Sequence, residues 1–261
     1  MLRRLTPRFL EKVWGSTHLE PWFRDRTEKI GEVWFEGDTE PSLLIKFLFT
    51  SEKLSVQVHP NDEYARQHHR SLGKTEMWHI LAAGPGAKIA AGFREKISEE
   101  RLRESALSGE IEDLLEWHTA RPGDTFFIPA GTVHAIGGGL VLCEIQQHSD
   151  ITYRLFDYGR PRELHLEEGV RASHLGSHAA RQSAREGVLV SCPYFTTERL
   201  RIEGSRRCEA VKGGQTIIVL EGQAQVADLV LRAGEVWHTS AEEALDLTGQ
   251  ATLLRTVVPN K

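Results

Sequence analysis

The sequence predicts an all-β protein made of two β-barrel modules, the first carrying a small helical insertion. Three observations carry that prediction: short apolar strands separated by Gly, Pro, Asn and Asp, one stretch of helical periodicity, and a degenerate internal repeat.

The strands come first. Segments 43–49, 54–58, 77–82, 87–91, 125–128, 140–147, 151–156, 216–220 and 223–227 have the length and residue types of strands, and their spacing is that of a sandwich or barrel. Residues 94–118 break the rhythm with apolar residues at helical spacing. Ser98, just before Glu99, Glu100 and Arg101, has the character of an N-cap. One or two helices are expected there, and Asn61 to Gln67 is also helix-like. The repeat relates Arg121-Pro122-Gly123-Asp124-Thr125-Phe126 to Arg232-Ala233-Gly234-Glu235-Val236-Trp237, an offset of 111 residues. Upstream, Ile80-Leu81-Ala82-Ala83-Gly84 matches Val219-Leu220-Glu221-Gly222, with the glycines 138 apart. The excess of 27 is close to the length of the helical segment, so the insertion falls in the first module. The resulting division is 1–160 for a first module, 161–186 for a connection with some helix, and 187–261 for a second. Leu245 stands where the first module has His134, so the second module is read as lacking a metal site.

Composition bounds the function. The 261 residues are enough for a sizeable core, and 40% hydrophobic with 26% charged residues is ordinary for a globular protein. A net charge of −5 disfavours nucleic acid or anionic membranes as partners, since phosphates need a basic excess. Cys143, Cys192 and Cys208 are odd in number and widely spaced, giving neither a disulfide framework nor a CxxC metal site. No secretory h-region follows the basic N-terminus, and the longest apolar run, Leu43 to Phe49, is too short for a bilayer and contains Lys46. A cytoplasmic location is expected.

Chemistry concentrates in three segments. In Ser55-Val56-Gln57-Val58-His59-Pro60-Asn61-Asp62, Gln57 and His59 are two apart and share one face of a strand. Glu76 lies in Gly73-Lys74-Thr75-Glu76-Met77-Trp78, and His134 follows the turn Pro129-Ala130-Gly131. In a closed barrel, alternate side chains from separate strands meet inside, so Gln57, His59, Glu76 and His134 form an N/O donor set suited to a divalent metal such as zinc. Lys74 shares the face of Glu76. Lys46 interrupts an apolar strand and needs a carboxylate, water or an anionic ligand. Glu144, Gln146 and His148 alternate on one strand, and Arg154 follows. His68, His69, His165, His174 and His178 have no alternating apolar frame and are read as surface histidines. The six tryptophans are read as core or cleft wall.

Together these motifs, with Glu144 to Arg154, Cys192-Pro193-Tyr194-Phe195, Val13-Trp14-Gly15 and Ile30-Gly31-Glu32-Val33-Trp34, resemble the type I mannose-6-phosphate isomerases in their short bacterial form. The resemblance runs through nearly the whole chain in order. It implies two cupin (jelly-roll) modules and one Zn²⁺ per chain held by Gln57, His59, Glu76 and His134. It further implies an active site containing Lys46, Lys74, Glu144 and Arg154, with Trp14 at the cleft edge. The implied reaction interconverts mannose 6-phosphate and fructose 6-phosphate through a cis-enediol, with Glu144, Lys46 or Lys74 moving protons and Arg154 with Lys74 holding phosphate. The expected partner is therefore a small phosphosugar, and the chain is expected to be a monomer or weak homo-oligomer. Three features depart from the family: His79 stands where short bacterial relatives often have tyrosine, the spacing from His134 to Glu144 is one residue longer than in the long eukaryotic-type enzymes and passes through a glycine turn (Gly137-Gly138-Gly139), and the second module is short and ends in an unusual Trp237-His238-Thr239-Ser240. A non-catalytic or divergent sugar-phosphate-binding cupin is the alternative function; an iron-dependent cupin oxygenase is disfavoured by the Gln ligand and the nearby Lys and Arg.

Overall fold

A computed structural model describes residues 1–37 and 42–259. The first strands are β1 (Arg3–Arg4), β2 (Thr6–Ser16), β3 (Ile30–Glu36), β4 (Leu43–Thr50) and β5 (Val56–Val58), followed by helix α1 (Asp62–His69). Next come β6 (Glu76–Ala83), β7 (Lys88–Phe93), α2 (Glu99–Ser108), α3 (Ile111–Leu114) and β8 (Leu115–Thr119). The middle of the chain forms β9 (Thr125–Ile128), β10 (His134–Ile136), β11 (Leu140–Gln147), β12 (Tyr153–Phe156), α4 (Leu166–Ala172) and β13 (Arg181–Gln182). The remainder is β14 (Val188–Ser191), β15 (Thr196–Cys208), β16 (Gln215–Val226), β17 (Leu229–Arg232), β18 (Val236–Thr239) and β19 (Leu245–Val257). The protein is mostly β, as the strand rhythm predicts. Among the described residues no helix is long and apolar enough to cross a membrane.

Three antiparallel sheets organise these strands. One runs β13-β9-β6-β11-β4-β2-β3, a second β12-β5-β10-β7-β8, and a third β1-β18-β16-β19-β15-β14 with β17 on β16. The first sheet is covered on both faces, which explains why β4 is buried at every position. On one face Phe35, Ile45, Phe47, Phe49, Met77 and Ile145 join Ile218, Leu220, Val236 and Leu254 of the third sheet in one apolar cluster. On the other, Leu48, Trp78, Ile80 and Leu142 meet Ile89, Ala91 and Ile136 of the second sheet and form the barrel interior. Alternation along β4 then puts Lys46 inside the barrel, between Ile45 and Phe47 that face the third sheet. Helices α2, α3 and α4 cover the outside of the second sheet through Leu102, Ala106, Ile111 and Val170.

The local expectations hold with some differences. Ser98 Oγ accepts from the Arg101 N–H at 3.1 Å and caps α2, and Asn61 caps α1 in the same way. His68 and His69 are exposed within α1. The predicted helical stretch 94–118 ends early, because Leu115–Thr119 is a strand paired with β7. The cause is tertiary: the edge of β7 offers backbone partners, and Leu115 enters the apolar cluster under the helices. Predicted strands 216–220 and 223–227 are one bent strand, β16, with a bulge between Val219 and Glu221 and Gly222 at φ +70°. The N-terminal hairpin of β2 and β3, and the long strands β15 and β19, go beyond the strands read from the sequence.

Candidate metal centre

His59, Glu76 and His134 come from three places in the barrel: the end of β5, the start of β6 and the start of β10. All three are buried, at 1%, 0% and 0% exposure, and their donor atoms lie within 4.8 Å of one another. Each imidazole is fixed from behind. His59 Nδ1 is 2.8 Å from the Ile151 carbonyl, and His134 Nδ1 is 2.8 Å from the Thr132 carbonyl. A carbonyl can only accept, so both Nδ1 atoms carry the proton and both Nε2 lone pairs point inward. His59 Nε2 lies 3.5 Å from Glu76 Oε2, and His134 Nε2 lies 3.6 Å from Glu76 Oε1. Donors at ~2.1 Å around a tetrahedral ion are ~3.4 Å apart. Glu76 Oε1 is buried and has no hydrogen-bond partner. Gln57, which pairs with His134 in the β5–β10 register, has its amide nitrogen 3.2 Å from His134 Nε2, and half a turn of the amide presents oxygen instead. The set fits a divalent cation.

The electrostatics agree with ligation. Burial, then the charges of Lys74 and His134, hold His59 well below the usual histidine range, and burial holds His134 at about 4. Both rings are therefore neutral near pH 7, the form that binds metal. Burial and the charge of Glu144 raise Glu76, against the pull of Lys74 and Lys46. Burial would raise Glu144 as well, but Lys74, Lys46 and the Trp78 N–H outweigh it and hold the carboxyl low. Lys74 stays charged: desolvation lowers its pKa, and Glu144 and Glu76 more than compensate.

A second polar row crosses the same face. The register places Lys46 opposite Glu144 and Glu144 opposite Trp78. Lys46 Nζ is 3.2 Å from Glu144 Oε1, Trp78 Nε1 donates to Glu144 Oε2 at 2.9 Å, and Lys46 Nζ stands 4.4 Å from the Trp34 ring. Lys74 Nζ contacts Glu76 Oε2 and lies 2.9 Å from His59 Nε2, so it joins this row to the donor set. Gln146 turns to the backbone instead, donating to the Gln147 carbonyl at 3.0 Å.

A cavity of about 310 Å³ opens onto this centre, and Trp14, Lys46, Gln57, Lys74, Glu144 and Arg154 all line it. The structure thus brings together every site residue named from the sequence; His59, Glu76 and His134 sit behind the cavity wall at the donor set. Sequence reasoning missed the cavity roles of Lys12, Glu32 and Arg162, while Trp34 stands in the cleft wall, one of the two places read for the tryptophans. The signal for Glu32 and Trp34 was their alternation on one strand, since Trp34 Nε1 donates to Glu32 Oε2 at 2.6 Å.

No protein-family model matches the chain. Mannose-6-phosphate isomerase ManA of Bacillus subtilis is 34% identical over 271 residues, covering 84% of this chain and 85% of that protein. The chain belongs to the mannose-6-phosphate isomerase family. A family member from Streptococcus mutans is 39% identical over 197 residues, and there the match spans 70% of this chain and 62% of the relative's length. A crystal structure of the mannose 6-phosphate isomerase from Bacillus subtilis matches with a TM-score of 0.83 at 29% identity over 98% of this chain and 99% of that one. A zinc-bound holo mannose 6-phosphate isomerase shares the fold, with a TM-score of 0.78 at 15% identity over 99% of this chain and 100% of that one.

Proposed function

We propose that this family member is a zinc-dependent aldose–ketose isomerase that interconverts mannose 6-phosphate and fructose 6-phosphate. The observation that carries the reading is the convergence of two tautomer-locked imidazoles and the buried Glu76 behind a charged cavity. Gln57, His59, Glu76 and His134 would hold one Zn²⁺ per chain. Bound there, the ion would supply Lewis acidity toward the oxygens at the reacting carbons.

The chain's own residues do the rest. The reaction moves a proton between C2 and C1 through a cis-enediol while the two oxygens exchange protons. Glu144, held ionised by its lysines, is available as the base throughout the neutral range, though its low pKa makes it a weak one. Lys46 fixes that carboxylate, and Lys74, whose ammonium contacts His59 Nε2 and Glu76 in this structure and would be displaced from them by the ion, lines the cavity, where it can hand a proton to a sugar oxygen. Arg154 anchors the phosphate, whose oxygens match a guanidinium fork. Trp14 walls the sugar. Residues 1–160 contain all of these groups. In this reading residues 161–186 connect to a module, 187–261, that binds no metal and backs the first sheet.

The experiment is conversion of mannose 6-phosphate by purified protein before chelation, after it, and with zinc restored. Activity that disappears and returns with zinc is expected. Zinc-loaded, folded protein that binds mannose 6-phosphate without converting it would replace this reading with a phosphosugar-binding one. For the base, Glu144→Gln is expected to abolish turnover with zinc retained; near-wild-type turnover removes Glu144 from that role.

A further inference from the structure

Arg154 has company on the cavity wall. Arg162 lines the same cavity and is half-buried. Its side chain is aimed by Asp157, which is 2% exposed: Nε donates to Oδ2 and Nη2 to Oδ1, each at 2.6 Å. A fork engaged along that edge still has Nη1 to offer. Arg160 shares the same carboxylate at 2.9 Å and donates to the Lys53 carbonyl at 2.8 Å, and it is not among the residues that line the cavity. Arg154 donates Nη1 to the Glu163 carbonyl at 2.6 Å, and its Nε is buried with no partner.

Charge balance on this wall is incomplete. Burial, and next the positive charge of Arg162, lower the pKa of Arg154, as expected for like charges held close. Asp157 is already shared by Arg160 and Arg162. Asp150 is exposed on the cavity wall and makes an ion pair with neither arginine among the described residues. Two guanidiniums with unspent donors, on a wall where Asp150 pairs with neither, suit a dianion better than a neutral hydroxyl.

We propose that Arg162 is a second phosphate-binding residue, forming a two-guanidinium clamp with Arg154, and that the buried Asp157 is the positioning residue that aims it. The proposal rests on the phosphosugar reading and adds the residues that recognise the phosphate. Fixing Arg162 beforehand matters because a flexible guanidinium would lose rotamer entropy each time it bound ligand.

The test is calorimetric binding of inorganic phosphate to wild-type, Arg162→Ala, Arg162→Lys and Asp157→Asn proteins, together with their kinetics on mannose 6-phosphate. Loss of charge-assisted hydrogen bonds should weaken phosphate binding on the order of 10- to 100-fold in Arg162→Ala and raise KM in proportion. The kcat should stay within about threefold, because the interaction is made equally in ground and transition states. Arg162→Lys should recover part of the affinity, as a point charge without the fork. Asp157→Asn should raise KM with kcat kept; weakened folding with unchanged phosphate affinity would make Asp157 structural only and overturn its positioning role. Should Asp157→Asn fail to fold, the two Arg162 variants decide the clamp. Folded Arg162→Ala that binds phosphate like the wild type overturns it, as does a wild type that binds no phosphate. Phosphate binding that depends on Arg162 in a protein without isomerase activity would sink the proposed reaction and leave the clamp standing.

Discussion

The two groups of strands share one frame and fill it with opposite chemistry. In the first, Gly123 N–H bonds the Ile80 carbonyl at 2.8 Å, Ile80 N–H bonds the Asp124 carbonyl at 2.9 Å, and Asp124 accepts from the Arg121 N–H at 2.9 Å. In the second, Gly234, Val219, Glu235 and Arg232 repeat the pattern at 2.9 Å throughout. Gly123 and Gly234 both adopt positive φ, 87° and 82°, which the turn requires. From these anchors the register carries the equivalence across the sheets. Lys46, Glu144, Trp78 and Phe126 lie side by side in one, and Glu198, Arg255, Ile217 and Trp237 in the other. The ion pair has swapped its signs. At the donor positions Glu76 corresponds to Gln215, and the pair Gln57–His134 to Cys208–Leu245. The second interior is mostly apolar, closed by Leu245, Leu247, Leu253 and Cys208, and Arg255 ties its ion pair to Gln215 at 2.6 Å. Its strands β15 and β19 pair without a break over 13 residues each. In the first module the corresponding pairings are interrupted at residues 51–55 and at Gly137-Gly138-Gly139, which separates two sheets and leaves the cavity. The lesson is that a barrel becomes a site only where charge converges and the sheets part.

Exchanging contents between the two frames is the strongest way to break the comparison. Glu76→Gln gives the first barrel the residue of the second; bound zinc should fall to background by metal analysis and turnover should drop. Losing several kcal/mol of electrophilic stabilisation corresponds to on the order of 10³-fold or more in rate. Retained zinc at wild-type stoichiometry would dissolve the contrast. Next are the mirrored ion pairs. Lys46→Met removes the ion-pair partner of the buried Glu144, leaving it only the Trp78 N–H and the charge of Lys74, and should cost about 3–5 kcal/mol by urea denaturation. The Glu198–Arg255 side chains are 24% and 13% exposed, against 4% and 6% for Glu144 and Lys46. Arg255→Met should accordingly cost only about 1–2 kcal/mol. Equal losses would mean that burial does not distinguish the pairs.

Acid separates the modules by a smaller margin. His79 and Ile218 are counterparts, and only the former titrates. Burial, then the charge of Arg199, holds His79 at about 4 despite the opposing pull of Asp124. Its unfolded value is ~6.5, so the unfolded chain takes up the proton first as pH falls. The neutral ring's contribution is complete above pH ~6.5 and is lost through pH 4, up to about 3 kcal/mol. His79→Gln should flatten stability against pH over that window by this amount. Glu76, raised by burial and Glu144, acts with the opposite sign, which is why the variant difference is the quantity to measure. Smallest is the shared turn: Asp124→Ala should cost about 1–2 kcal/mol for the lost bond to the Arg121 N–H and the partly exposed pair with Arg181 at 2.8 Å. Glu235→Ala should cost more, because Glu235 is buried and, besides its pair with Arg4 at 3.2 Å, accepts from the buried Trp237 Nε1 at 3.1 Å.

Much of the site was legible in the sequence because the informative residues violate their surroundings. A lysine in an apolar strand, a Gln-x-His on a strand face and a histidine after Pro-Ala-Gly each demand a polar partner inside, and the resemblance supplied the order in which they combine. The repeat was legible because its turn is local: glycine, a carboxylate and a backbone N–H within four residues. Segment 115–118 was misread as helix because Leu115 and Trp117 fit either period over so short a run, and only the edge of β7 chose between them. Lys12 and Arg162 escaped because nothing local distinguishes them from surface charges, and the alternation of Glu32 with Trp34 shows only a shared face.

By itself, then, the sequence determined the β character, the repeated turn, the residues of the candidate donor set and the family. Period-two alternation also settles which residues share a face of each strand. Only the tertiary structure decided which faces meet. It set Lys46 against Glu144, turned Gln146 to the backbone, engaged Lys74 with the donor set, and aimed Arg162, but not Arg160, at the cavity. The physical reason is register: pairing between strands far apart in sequence rests on packing and backbone hydrogen bonds across the whole sheet, which no local pattern encodes.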